Sequence, residues 1–159
     1  LVGSEMCIRD SYTVNYGIYG SQTSKINITA QNTEINLGGN SQGKDETYNA
    51  TGIYNAGIEN YGGDFLAKNL KITGMMQGNF IGINNSGKFA ADNIDIQAVS
   101  ESGSMYGIKN TGTGGLDFKD VNIELELKSG YALTGIKSKS NLTADNINIK
   151  LQNGTQDCM

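Results

Sequence analysis

Phe89-Ala90-Ala91-Asp92-Asn93-Ile94-Asp95-Ile96 alternates apolar and polar residues but changes phase once. Phe89 and Ala91 share one parity, whereas Ile94 and Ile96 share the other. Side chains of a strand alternate strictly between faces, so a phase jump requires a corner between two strands, here at Asp92-Asn93. The same phrase returns as Ile28 to Ile35, Phe65 to Ile72, Leu116 to Ile123 and Leu142 to Ile149, at spacings of 24 to 37 residues. Short β-type runs recurring at such a period predict a stacked solenoid, in which each unit buries its apolar face only against its neighbours.

Asn recurs at the corner as Asn32, Asn69, Asn93 and Asn146, with Asp120 in the fourth phrase. Asn tolerates left-handed backbone and bonds nearby main chain, which suits a tight inward corner. Stacked corners predict an asparagine ladder. A second element precedes each phrase: Gly17-Ile18, Gly52-Ile53, Gly82-Ile83, Gly107-Ile108 and Gly135-Ile136. It predicts a third strand with an inward column of Ile18, Ile53, Ile83, Ile108 and Ile136. By parity, Tyr16, Thr51, Ile81, Tyr106 and Thr134 would share that face. Gly20, Asn55, Asn85, Asn110 and Ser138 would complete it as a second polar ladder. The expected fold is all-β: a parallel β-helix of about five coils of three short strands, right-handed by the crossover preference.

The residue before each corner reads Gln31, Lys68, Asp92, Lys119 and Asp145, so four successive outward positions alternate in sign. Stacked about 4.8 Å apart, they are expected to pair. Loops are expected at Gly38 to Thr47, Thr73 to Gly78 and Ser100 to Ser104, where Gly, Ser, Asn and Thr cluster.

The first eleven residues, Leu1 to Ser11, lack the repeat's character and resemble the in-frame translation of a sequencing-library adapter. They are expected to be a non-native leader, with residues 12–152 forming the repeat segment of a longer solenoid and 153–159 a truncated tail. Both ends of such a segment would expose uncapped strand edges, so fraying or aggregation is expected. Beyond Cys7 and Arg9 in that leader, the chain has one cysteine, Cys158, and no arginine. No disulfide framework or CxxC-type metal site follows from that inventory.

With no His, Ser-His and Cys-His nucleophile arrangements and the usual zinc sites are excluded within the chain. Carboxylates are the remaining acid–base candidates. Asp92 and Asp145 read as members of a charge ladder, and Glu124 and Glu126 as a solvated strand exterior opposite Leu125 and Leu127. Gly114-Gly115-Leu116-Asp117 and Gly62-Gly63-Asp64 read as turns rather than calcium repeats, and Asn27-Ile28-Thr29 and Asn141-Leu142-Thr143 as chance glycosylation triplets. No catalytic residue, metal site or cofactor is expected. Lysines scattered among acids, at a net charge of −4, leave no basic stripe for nucleic acid. No run is long and apolar enough for a membrane helix. Tyr54 and Tyr61, with Tyr19 nearby, are the candidate ligand contacts, as an aromatic rail for a glycan.

The phrases Thr51-Gly52-Ile53-Tyr54-Asn55-Ala56-Gly57 and Ala91-Asp92-Asn93-Ile94-Asp95-Ile96 resemble those of bacterial autotransporter passenger domains, over about residues 14 to 152. The resemblance implies an extracellular, surface-displayed or secreted rod acting as stalk or adhesin. Its partner would be a glycan or protein of a host or neighbouring cell, and its link to the outer membrane a C-terminal barrel outside this chain. The alternative is part of a polysaccharide-cleaving β-helix enzyme or phage tailspike, marked by three or more carboxylates converging on one groove.

Overall fold

The computed structural model describes residues 14–19, 28–38, 49–55 and 63–154. Five short strands alternate along the chain with five long ones. The short strands are β1 (Val14–Tyr19), β3 (Asn49–Asn55), β5 (Phe80–Asn85), β7 (Ser104–Asn110) and β9 (Ala132–Ser138). The long ones are β2 (Ile28–Gly38), β4 (Phe65–Met76), β6 (Phe89–Ser100), β8 (Leu116–Leu127) and β10 (Leu142–Asn153). Each set forms one wholly parallel sheet, ordered β1-β3-β5-β7-β9 and β10-β8-β6-β4-β2. The chain is thus a parallel β-helix, and no helical segment interrupts it among the described residues.

The corner within each repeated phrase is present, but each long strand continues past it, with pairing omitted only at one or two corner residues. The two expected strands of the phrase are therefore one bent strand, and the coil has two sheets rather than three. In β4 the burial order is buried at Phe65 and Ala67, exposed at Lys68 and Asn69, then buried at Leu70 and Ile72. Two successive outward residues are the phase jump made physical. Asn32 (φ 49°) and Asn69 (φ 54°) hold the left-handed backbone that turns the strand, a conformation Asn adopts more readily than other non-glycine residues. Their side chains lie on the outside of the corner, exposed.

The Gly-Ile pair makes a second phase break, one that parity alone missed. Met105, Gly107 and Ile108 are all buried in β7, while Tyr106 between them is half-buried. The inward position takes glycine because the neighbouring strand's carbonyl and an isoleucine of the facing sheet occupy the space a side chain would fill. A Cβ on Gly107 would stand 2.6 Å from the Gly135 carbonyl oxygen and 2.8 Å from Ile123 Cγ2. A Cβ on Gly82 would likewise stand 2.5 Å from the Gly107 carbonyl oxygen and 3.0 Å from Ile96 Cδ1. The isoleucines of the bent sheet thus rest on glycine backbone, and the next residue turns inward as well. Tyr106 therefore does not share the face of Ile108; it belongs to the outer surface, as its lysine neighbours confirm below.

The core lies between the sheets. Ile53, Ile83 and Ile108 are fully buried, with Ile18 and Ile136 at the end coils partly so. Each fully buried Ile contributes roughly 1.5–3 kcal/mol. Phe65 and Phe89 stack in register, and Phe118, one inward position along from the Leu116 that continues their column, meets Phe89; ring centroids are 4.6 and 5.0 Å apart in tilted and edge-on arrangements that suit the ring quadrupoles. In β10 the same inward positions, Ile147, Ile149 and Leu151, are 40–42% exposed, because β10 is the last strand of its sheet.

The loop expected at Thr73 to Gly78 is shorter than its composition suggested, since β4 runs to Met76. Thr73 and Gly74 pair in register with Gln97 and Ala98, so a partner strand overrides the local turn signal. Ser100 likewise ends β6 rather than opening a loop. The expected Gly38 to Thr47 loop and Tyr61 lie largely or wholly outside the described residues.

Candidate functional site

Two polar ladders run along the stack. The exposed one follows the corner: Asn69 Nδ2 donates to Asn32 Oδ1 at 2.8 Å, Asn93 Nδ2 to Asn69 Oδ1 at 2.7 Å, and Asn146 Nδ2 to Asp120 Oδ1 at 2.7 Å. Beside it, Asn148 donates to Asn122 and Asn122 to Asp95. The buried ladder lies on the short-strand sheet, where Asn85 and Asn110 are 0% and 1% exposed. Asn85 Nδ2 donates to the Gly87 carbonyl at 2.6 Å and to Asn110 Oδ1 at 3.3 Å, and Asn110 Nδ2 to the Gly114 carbonyl at 2.8 Å and Ser140 Oγ at 2.7 Å. The buried amides thus also hold the turns that leave the strands. Ser138 continues the column through bonds to Ser140.

The bent sheet is concave outside its corner. A groove of about 860 Å³ runs along the exposed ladder, with Asp95, Asp120 and Asp145 among its lining residues. Asp120 accepts from Asn146, and Asp95 from Asn122 and Gln97. Two of the three carboxylates therefore serve as ladder acceptors. They sit in different columns of the sheet, on either side of and at the corner.

Ion pairs form elsewhere than the alternating column implied. Among the described residues they are Lys71–Glu34 at 3.6 Å, Lys150–Glu124 at 2.5 Å and Lys128–Glu126. Gln31, Lys68, Asp92, Lys119 and Asp145 all face solvent, where long side chains gain little from being held together. Lys128 carries a pKa raised above its ordinary value, first by its hydrogen bond to Glu126 and then by that carboxylate's charge. Glu124 and Glu126 lie outward while Leu125 and Leu127 are buried, as alternation required.

The outer surface of the short-strand sheet differs in chemistry. Register stacks Tyr19, Tyr54, Asn84, Lys109 and Lys137 in one column. The rings of Tyr19 and Tyr54 are stacked, with centroids 5.2 Å apart and planes 13° from parallel. One column over, the Tyr106 ring has Lys109 Nζ 5.5 Å and Lys137 Nζ 5.9 Å from its centroid, within the range of cation–π attraction. Of the two candidate contacts, Tyr54 thus lies on this face, while Tyr61 is outside the described residues. Lys109 and Lys137 went unnoticed in the sequence, although the residue following each Gly-Ile pair spells the column directly, and Tyr106 was assigned to the inner face.

Comparison with family models, with curated proteins and with solved structures gives no match. No group of three or more His, Cys, Asp or Glu side chains able to hold a metal ion occurs among the described residues.

Proposed function

We propose that this chain is a rod segment of a surface-displayed or secreted bacterial protein of autotransporter type, serving as stalk or adhesin. The observation that carries this reading is the uninterrupted register. Corresponding residues stack through five strands in both sheets, the inward apolar columns pack along the axis, and segments of both polar ladders bond along it. Such a stack holds a length and presents two continuous surfaces, which is the mechanical task of a stalk. Its partner would be a glycan or protein of another cell, met by exposed side chains.

The test is where the segment resides in the intact organism. An antibody against residues 63–154 should label unpermeabilised cells or cell-free medium, and proteinase added to whole cells should remove the label. Labelling only after lysis contradicts the reading. A signal sequence upstream and a β-barrel downstream in the unbroken gene would further support it.

The groove bearing Asp95, Asp120 and Asp145 favours a second reading, a polysaccharide-cleaving β-helix. Release of reducing ends from a polysaccharide, abolished by Asp145→Asn, would establish it; a rod predicts no release.

A further inference from the structure

The two surfaces of the stack carry different charge. Every acidic residue of the ten strands lies on the bent sheet, in positions such as Glu34, Asp92, Asp120, Glu124 and Asp145. The short strands contain no Asp or Glu. Their outer face instead holds Lys109 and Lys137 beside Tyr106, continued by Asn84 and Tyr54. In a chain of net charge −4, this is a cationic, aromatic strip on strands that carry no carboxylate of their own.

We infer that the outer face of the short-strand sheet binds an anionic polysaccharide, one bearing sulfate or uronate groups, laid along the solenoid axis. The inference deepens the adhesive reading and rests on it for its biological setting, though not for its chemistry. Lys109 and Lys137 are neighbours in adjacent strands, about 4.8 Å apart at the backbone, so their ammonium groups meet successive anionic groups of an extended chain. Tyr106 lies against both ammonium groups and holds them over its ring, which reduces the freedom they lose on binding. The Tyr19 and Tyr54 rings already stack on one another, so they offer edges and hydroxyl groups rather than a flat platform.

Asn84 lies in the same strip and adds a polar amide to it. Its Oδ1 is the buried side-chain oxygen or nitrogen without a hydrogen-bond partner among the described residues, and it stands in the column between Tyr54 and Lys109. Buried polar atoms are nearly always paired.

The experiment uses the full chain with immobilised heparin, polygalacturonate, dextran and single-stranded DNA as probes, at low salt and at about 1 M salt, where charge attraction is screened within a few ångströms. Retention on heparin or polygalacturonate, lost in high salt and exceeding that on dextran and DNA, is expected; the two acidic probes distinguish sulfate from carboxylate recognition. Lys109→Gln with Lys137→Gln should weaken binding about tenfold. The charge-matched pair Lys71→Gln with Lys150→Gln, on the bent sheet, should leave it unchanged, with far-UV circular dichroism establishing that both variants keep the β-fold. No retention of the wild-type chain, equal retention on DNA, or equal weakening by the two double variants overturns the inference. Cell-surface labelling with no binding here would overturn this inference and leave the rod reading intact; binding here with labelling only after lysis would do the reverse.

Discussion

The short-strand sheet and the bent sheet share one core yet differ in how their polar groups are used. On the short-strand sheet the amides of Asn85 and Asn110 are buried and bind both each other and turn carbonyls. On the bent sheet the equivalent ladder through Asn32, Asn69 and Asn93 is exposed and binds only along the axis. Charge divides the same way: within the strands, carboxylates occur only on the bent sheet, where they outnumber Lys68, Lys71, Lys119 and Lys150, while the short strands carry only Lys109 and Lys137, beside Tyr106. A parallel coil repeats each position every turn, so a single residue preference, multiplied by stacking, becomes a surface property. Asymmetry between two faces of a rod is therefore written in two or three positions of the repeat.

Substitutions that attack the comparison should separate in size. Ile108→Ala, at the centre of the inner column, should cost about 2–5 kcal/mol in urea unfolding, because transfer and cavity terms add. Lys109→Ala, the adjacent outward residue, should stay within about 0.5 kcal/mol. Equal effects would mean that the inward and outward assignments of the short strands are wrong.

Gly107→Ala comes next, at about 1–3 kcal/mol, since the new methyl meets the Gly135 carbonyl and Ile123. Retention of full stability would break the claim that the bent sheet rests on glycine backbone.

The ladders should differ as well. Asn110→Ala should lose about 1–3 kcal/mol, because it strands the partners of a buried amide. Asn93→Ala, in the exposed ladder, should cost less than about 1 kcal/mol, since water replaces the lost bonds. A reversed order would show that the exposed corner, not the buried amides, limits stability.

The smallest effect concerns Lys128. Its pKa is raised in the folded state by Glu126, so the stabilisation is fully present below the ordinary value of 10.5 and is lost as pH rises through the raised value. Glu126→Gln should return the Lys128 titration, followed by NMR, to that of an unpaired lysine. An unchanged titration would show that the pair does not persist in solution.

Much of this was legible in the sequence. The phase jump at Asp92-Asn93 located the corner, and the recurrence of Ile83 and Ile108 located the inner column, because a stacked coil repeats its apolar contacts at each turn. What parity could not reveal was the inward turn of glycine before each Ile, since the cause lies in Ile96 and Ile123 of the opposite sheet. That one missed break placed Tyr106 on the wrong face and concealed the lysine–tyrosine strip. The continuation of the strand past Asn69 was hidden for a related reason: whether a corner ends a strand depends on the neighbouring coils. The alternating charges of Lys68, Asp92 and Lys119 were real as a pattern, but exposed side chains have little reason to close into pairs.

The central claim is the parallel, in-register stack, and Leu66, Ala90, Asp117 and Thr143 form one outward column of it. Spin labels at Leu66→Cys and Asp117→Cys, with Cys7 and Cys158 changed to Ser, stand two coils apart, about 10 Å at the backbone. Continuous-wave EPR should show strong dipolar broadening for this pair and weaker broadening for Leu66→Cys with Thr143→Cys, one coil further. Absent broadening, or the reverse order, would contradict the stack.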